Sequence, residues 1–304
     1  MAHQSVLYHE IINALQPRDG GRYIDGTVGA GGHAAGILDA CSPSGKLLGF
    51  DLDPDALKLA SERLSGFGDR VNLVRNSYLQ MAVQLKALGW DAVDGIVLDL
   101  GLSSMQLDTP ERGFSFRMDA PLDMRFDPQG EQRAADLVNL LEEQELANLI
   151  YRYGEERRSR QIARAIVAAR PIDSTLTLAK VVARASGKGY QRIHPATRTF
   201  QALRIATNQE LDAVQEILPI AVQALTSGGR VAIIAFHSLE DRIVKKYFRQ
   251  ASRDCICPPK QPICTCDHKA VLRLITRKPI RPGEDEISTN PRARSARLRV
   301  AEKL

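Results

Sequence analysis

The segment Asp25–His33, DGTVGAGGH, sets Gly29, Gly31 and Gly32 just after a short apolar run. Glycines at this spacing let a backbone turn sharply and approach a ligand closely, with the start of a following helix nearby. Asp51 closes a second apolar run, and a carboxylate there can accept hydrogen bonds from both hydroxyls of a ribose. Asn76-Ser77-Tyr78 follows a third run and offers an aromatic face to an adenine, although a tyrosine at that place serves equally as packing. A fourth run ends at Asp99, opening DLGLSSMQLD (Asp99–Asp108). The same glycines also satisfy the permissive G-x-G-x-x-A pattern, so a dinucleotide such as NAD remains an alternative ligand.

These residues need a scaffold that gathers them. Strands are expected at Arg22–Val28, Lys46–Asp51, Val71–Arg75 and Gly95–Leu100, with helices starting near His33, Pro54 and Leu79. Asp53 reads as the cap of the second helix, with Pro54 at its first position. Short apolar strands alternating with helices imply an α/β fold with a parallel sheet, whose ligands sit at the carboxyl ends of the strands. All four signals fall at such ends.

Beyond Asp99 the pattern changes. Gln106–Gly130 reads as an ordered loop. Helical spacing then runs over Ala134–Arg170, with Leu137, Leu140, Leu141, Leu146, Ile150, Ile162 and Ile166 as the apolar stripe, and resumes at Leu176–Ala185 and Thr197–Leu225. Strand character returns at Arg230–Phe236, Val271–Arg277 and Ala296–Ala301, with a helix over Glu240–Gln250. The expected organisation is one sheet domain, 1–107 and 196–304, interrupted by a mostly helical insertion, 108–195.

Composition narrows the function classes. Hydrophobic residues are 44% and charged residues 25% of 304, a globular balance, and no apolar run approaches bilayer-spanning length. Five cysteines make no disulfide scaffold, and no secretory signal is visible, which together point to the cytoplasm. Residues 151–204 carry 12 Lys/Arg against 3 Asp/Glu, whereas 1–105 carry 8 against 12. Such a basic stretch suits a polyanionic partner or a solvated helix face.

The motifs also carry a resemblance. HQSVLYHE (His3–Glu10), DGTVGAGGH, DLGLSSMQLD, RGFSFRMDAPLDMRFD (Arg112–Asp127) and YGEERRSRQIARAI (Tyr153–Ile166) occur in that order. HPATRTFQALRIATNQEL (His194–Leu211), AFHSLEDRIVKKYF (Ala235–Phe248) and NPRARSARLR (Asn290–Arg299) follow. Over nearly its whole length the chain resembles the bacterial small-subunit (16S) ribosomal RNA cytosine-N4 methyltransferases, the MraW or RsmH family. These are class I S-adenosylmethionine-dependent enzymes with a Rossmann-like sheet.

The resemblance implies Gly31, Gly32 and His33 beside the cofactor's methionine, Asp51 on its ribose, Tyr78 and Asp99 around adenine and sulfonium, and Gln106 closing the pocket. It implies as substrate a cytidine in the decoding region of 16S RNA, within the 30S particle. Whether the enzyme is a monomer or a homodimer is left open.

Amino methylation asks for in-line positioning and acceptors for the amino hydrogens more than for a lone general base. Asp99 with the Leu100–Leu102 backbone takes that place, although Leu-Gly-Leu stands where related amino-methylating enzymes have Pro-Pro-aromatic. His237 is a second candidate acceptor or simply a loop histidine. Arg112, Arg125, His194 and Arg198 are the expected RNA contacts, with Arg204, Phe114 and Phe116 as further candidates. Phe114 and Phe116 could instead anchor the loop. Arg157, Arg158, Arg160 and Arg164 recur on one helix beside Glu155 and Glu156, which suggests ion pairs for some.

No metal is assigned to the reaction site. Cys255-x-Cys257 and Cys264-x-Cys266 resemble a four-thiolate zinc loop with His268 to spare, or a loop shaped by Pro258, Pro259 and Pro262 without metal. Two other functions compete: a nucleotide-dependent oxidoreductase, and a non-catalytic RNA-binding assembly factor.

Overall fold

The computed structural model describes residues 5–187, 193–258, 261 and 263–304. His3 and Gln4 of the first motif, residues 188–192 of the insertion, and Pro259 and Pro262 lie outside the described residues. The chain divides into two compact units, Met1–Gly101 with Leu211–Leu304, and Leu102–Glu210.

The first unit begins α1 (Tyr8–Leu15), β1 (Arg22–Asp25), α2 (Gly32–Ala40), β2 (Lys46–Asp51), α3 (Pro54–Leu64), β3 (Val71–Arg75), α4 (Met81–Ala87) and β4 (Val93–Asp99). The second unit contributes α5 (Ser104–Asp108), α6 (Ala134–Leu140), α7 (Glu143–Gly154), α8 (Ser159–Ala168), α9 (Thr175–Ala185) and α10 (Thr197–Asn208). The chain returns to the first unit with α11 (Glu210–Ala224), β5 (Leu225–Ala235), α12 (Ser238–Ala251), β6 (Leu272–Leu274), α13 (Glu284–Thr289) and β7 (Arg297–Lys303).

The sheet runs in the order β3-β2-β1-β4-β5-β7-β6. Strands β1 to β5 are parallel, and β7 is antiparallel to both neighbours. Side chains alternate between the two faces. Ile96, Leu98, Val231 and Ile233 join the core under α11 and α12, while Val97, Ala232 and Ile234 join the core on the opposite face with α1 and α2. Both faces are buried, which explains the near-continuous apolar strands read from the sequence. Each buried Ile, Leu or Val contributes about 1.5–3 kcal/mol. Because β2 and β4 flank β1 on opposite sides, the chain reverses its direction of winding at β1, and a crevice opens at the carboxyl ends there. Asp53 does cap α3, accepting the Asp55 N–H at 3.1 Å.

The second unit packs α6 to α10 around its own core, which includes Leu137, Leu146, Ile150, Ile162, Ile166 and Leu203. Its helical stretch is broken where Leu141 turns extended and where Glu155 adopts a left-handed φ of 50°. That break displaces Leu140 from the expected stripe: α6 ends there and the side chain is 77% exposed. The division between units falls at 101/102 and 210/211, not at 107/108 and 195/196. Helix α10 belongs with the insertion because Phe200 and Leu203 fill its core and Gly154 of α7 meets the Arg198 carbonyl. A Cβ at Gly154 would lie 2.6 Å from that oxygen.

Candidate active site

The end of β1 turns through Gly29 and Gly31, with φ of 52° and 78°, conformations that other residues adopt only with strain. The turn is held from both sides. Asp51 accepts the Gly29 N–H at 2.9 Å through Oδ2 and the Asp53 N–H at 2.9 Å through Oδ1. A carboxylate has about four acceptor sites, so two remain for hydroxyl donors. Gly32 carries no side chain because a Cβ there would strike the Ser5 hydroxyl. His33 is buried, and its Nε2–H donates to the Val6 carbonyl at 2.9 Å. Burial pushes its pKa down to about 4, so the ring stays neutral at physiological pH. His33 thus ties the segment around Val6 to the glycine turn. Tyr78 follows β3 in a short 3-10 turn and packs partly buried against the core.

Asp99 ends β4. Its N–H donates to Thr27 Oγ1 at 2.6 Å, which pins it to the turn after β1. Its Oδ1 is buried and has no hydrogen-bond partner among the described residues, and the same is true of Asp25 Oδ2. Burial lifts Asp99 to about 8, with the negative charges of Asp25 and Glu240 raising it further. Asp25 rises to about 7 by burial and by the nearby Asp51, and Asp51 itself rises to about 6 chiefly by burial. Four carboxylates, Asp25, Asp51, Asp99 and Glu240, therefore gather at the carboxyl ends of β1, β2, β4 and β5. His237 is the N-cap of α12: its Nδ1 accepts the Glu240 N–H at 3.4 Å, and its Nε2 lies 3.2 Å from Glu240 Oε1. Asp25, Thr27 and Glu240 escaped the sequence reading. An acid in a D-G-T turn reads as a turn former, and one in the first turn of a helix as a cap.

The remaining candidates lie in the second unit, and most are already engaged. Gln106 is buried in a capping box with Ser103, its N–H donating to Ser103 Oγ and its Oε1 accepting the Ser103 N–H, both at 3.1 Å. Arg112 donates to the Arg125 and Phe126 carbonyls at 2.9 Å. Arg125 forks onto Asp123, at 2.8 and 2.6 Å, and reaches the Gly130 carbonyl at 2.6 Å. Arg204 pairs bidentately with Glu210 at 2.8 and 2.7 Å. Phe114 is buried against Phe126, an anchor of the loop. His194 is exposed, with its ring 4.7 Å from that of Phe116, and Arg198 lies on the surface 3.6 Å from Glu156. Arg157, Arg158 and Arg160 are exposed and make no ion pair among the described residues, whereas Arg164 lies 3.6 Å from Glu143.

The donor set suits a cationic nucleoside. Asp51 retains acceptor sites for ribose hydroxyls, and the unbonded oxygens of Asp99 and Asp25 favour positive charge. With the 3-2-1-4-5-7-6 sheet and its antiparallel β7, this defines a class I S-adenosylmethionine-dependent methyltransferase. A model of the MraW methylase family matches residues 1–304, and the chain belongs to that family. It is 53% identical to the ribosomal RNA small subunit methyltransferase H of Geobacter sp. (strain M21), over 99% of this chain and 98% of that one. The protein of the same name from Thermomicrobium roseum is 50% identical over 99% and 94%. Among solved structures, an rRNA methylase from Streptococcus thermophilus matches with a TM-score of 0.45 and 12% identity, covering 100% of this chain and 99% of that one.

Proposed function

We infer that the protein transfers a methyl group from S-adenosylmethionine to the N4 amino group of a cytidine in the decoding region of 16S ribosomal RNA. The small-subunit particle in the cytoplasm would be its substrate. The observation that carries this reading is the buried, unbonded Oδ1 of Asp99 at the end of β4, in a chain of this family. When bound, the cofactor supplies an electrophilic methyl on a sulfonium. Asp51 accepts the ribose hydroxyls while its backbone contacts keep the Gly29 turn in place. The Thr27 hydroxyl fixes Asp99 through its backbone, so the carboxylate needs no reorganisation. Once ionised, Asp99 Oδ1 accepts an amino hydrogen of the target base as positive charge develops on that nitrogen. A cytosine must leave any stack to reach such a pocket. The second unit offers RNA the exposed arginines 157, 158 and 160, with His194 and Arg198 as further contacts.

The test joins binding to product analysis. Calorimetry should show S-adenosylmethionine and S-adenosylhomocysteine bound and NAD not bound. Small subunits lacking the modification, incubated with enzyme and cofactor and digested to nucleosides, should yield N4-methylcytidine. NAD binding would revive the oxidoreductase, and cofactor binding without methyl transfer would favour the assembly factor.

A further inference from the structure

Cys255, Cys257, Cys264 and Cys266 bring their four sulfurs within 4.8 Å of one another. The Cys264–Cys266 sulfurs are 3.6 Å apart and the Cys266–Cys255 sulfurs 3.8 Å. These separations are far above the roughly 2.05 Å of a disulfide, and all four are free thiols. A regular tetrahedron with edges near 3.8 Å has its centre about 2.3 Å from each vertex, the length of a zinc–thiolate bond. The backbone reinforces the arrangement symmetrically. The central residue of each C-x-C pair donates its N–H to a sulfur of the other pair, Ile256 to Cys266 at 3.4 Å and Thr265 to Cys257 at 3.5 Å. Donors aimed at sulfur stabilise thiolate charge, as outer hydrogen bonds do around metal ligands.

The surroundings supply no other reason for the cluster. The loop joins α12 to β6, and none of its described residues from 252 to 270 is buried. With no apolar core of its own, the segment has little to offset the entropy of ordering it. His268, the spare ligand suggested by the spacing, lies outside the group of four sulfurs, and its Nδ1–H donates to the Arg253 carbonyl at 2.8 Å, joining the two stems of the loop.

We propose that Cys255, Cys257, Cys264 and Cys266 bind one structural zinc ion that closes the loop between α12 and β6. Four thiolates fill a tetrahedral shell and leave no open position, so the ion takes no part in catalysis. Each ligand binds as a thiolate, and the thiol protons pass to solvent as the metal enters. Its effect is to cross-link the connection that delivers β6 to its place beside β7.

The full chain, purified without chelator from zinc-supplemented culture, should carry one equivalent of zinc by mass spectrometry. Cobalt substitution should give the intense visible bands and thiolate charge-transfer absorption of a tetrahedral four-sulfur site. In the native protein these cysteines should resist alkylation, and a chelator should expose all four. The double variant Cys257→Ser, Cys264→Ser should lose the metal, while Cys41→Ser should keep it. The variant Cys257→His guards against misfolding: it should retain one metal with a blue-shifted cobalt spectrum. Full alkylation without chelator in a metal-free folded protein would overturn the proposal. So would a native disulfide among these cysteines, an iron–sulfur absorption, or zinc retained by the double variant.

Discussion

The crevice at the strand ends and the Arg112–Gly130 loop of the second unit are both dense in charged residues, yet they differ in what those residues still have to offer. In the crevice, Asp99 and Asp25 each keep a buried oxygen without a partner, and burial raises both pKa values. In the loop, Arg125 is spent on Asp123 and Gly130, and Arg112 on two carbonyls. On β7 two arginines behave as in the loop: Arg299 and Arg297 pair with Asp241, at 2.6 and 3.1 Å. Residue type names a chemistry, but availability decides whether the chemistry is used on a ligand or on the fold. Unpaired buried acceptors are costly, so each calls for an explanation, and a bound ligand is one.

The largest effect should come from the crevice. Asp99→Ala should lower single-turnover methyl transfer by about 10²–10³-fold, the usual loss for one preorganised polar partner of a transition state, while cofactor affinity changes much less. Equal losses in both would reduce Asp99 to a cofactor contact. Asp51→Ala should weaken cofactor binding at least about tenfold, since hydrogen bonds to a charged acceptor contribute about 1.5–3 kcal/mol. An unchanged dissociation constant in a folded variant would remove Asp51 from the site.

The second unit should respond in another currency. Arg157, Arg158 and Arg160 changed together to Gln should weaken RNA binding and flatten its salt dependence by about two units of slope, near 0.7 per phosphate contact with single-stranded RNA. An unchanged slope would make them a solvated face. The smallest difference separates Arg125→Ala from Asp123→Ala. If the guanidinium is spent on the loop, both should lower the melting temperature alike and leave the salt slope alone. A slope lower by about one in Arg125→Ala only would return that arginine to the RNA.

Much of this was legible in the residues. Strands β2 and β3 begin and end where the sequence puts them, because apolar runs bounded by Gly, Asp and Asn leave little choice. The glycine turn, Asp51 and Asp99 lie at neighbouring strand ends, as the sequence pattern implies, because sheet topology gathers strand ends whatever the tertiary detail. Helix α1 was not seen, since it starts from a left-handed Leu7 with no side-chain cap and so sends no start signal. Nor does spacing reveal that Arg125 turns back onto Asp123, two residues earlier, or that Arg204 closes on Glu210. Those pairings depend on backbone geometry that charge counts do not contain.

Proton linkage tests the account most directly. In the free protein Asp99, with a pKa near 8, holds its proton at neutral pH, and Asp25, near 7, is about half protonated. A cation bound beside them favours the ionised forms, so binding should release protons, and affinity should rise as pH climbs from about 6 to about 8. S-adenosylmethionine and S-adenosylhomocysteine differ by one methyl group and by the sulfonium charge. Calorimetry at about pH 7 in buffers of different ionisation enthalpy should show greater proton release for S-adenosylmethionine, and Asp99→Asn should shrink the difference. Equal release by the two ligands, with an affinity ratio constant across that pH range, would contradict the claim that these carboxylates are held ready for the cation.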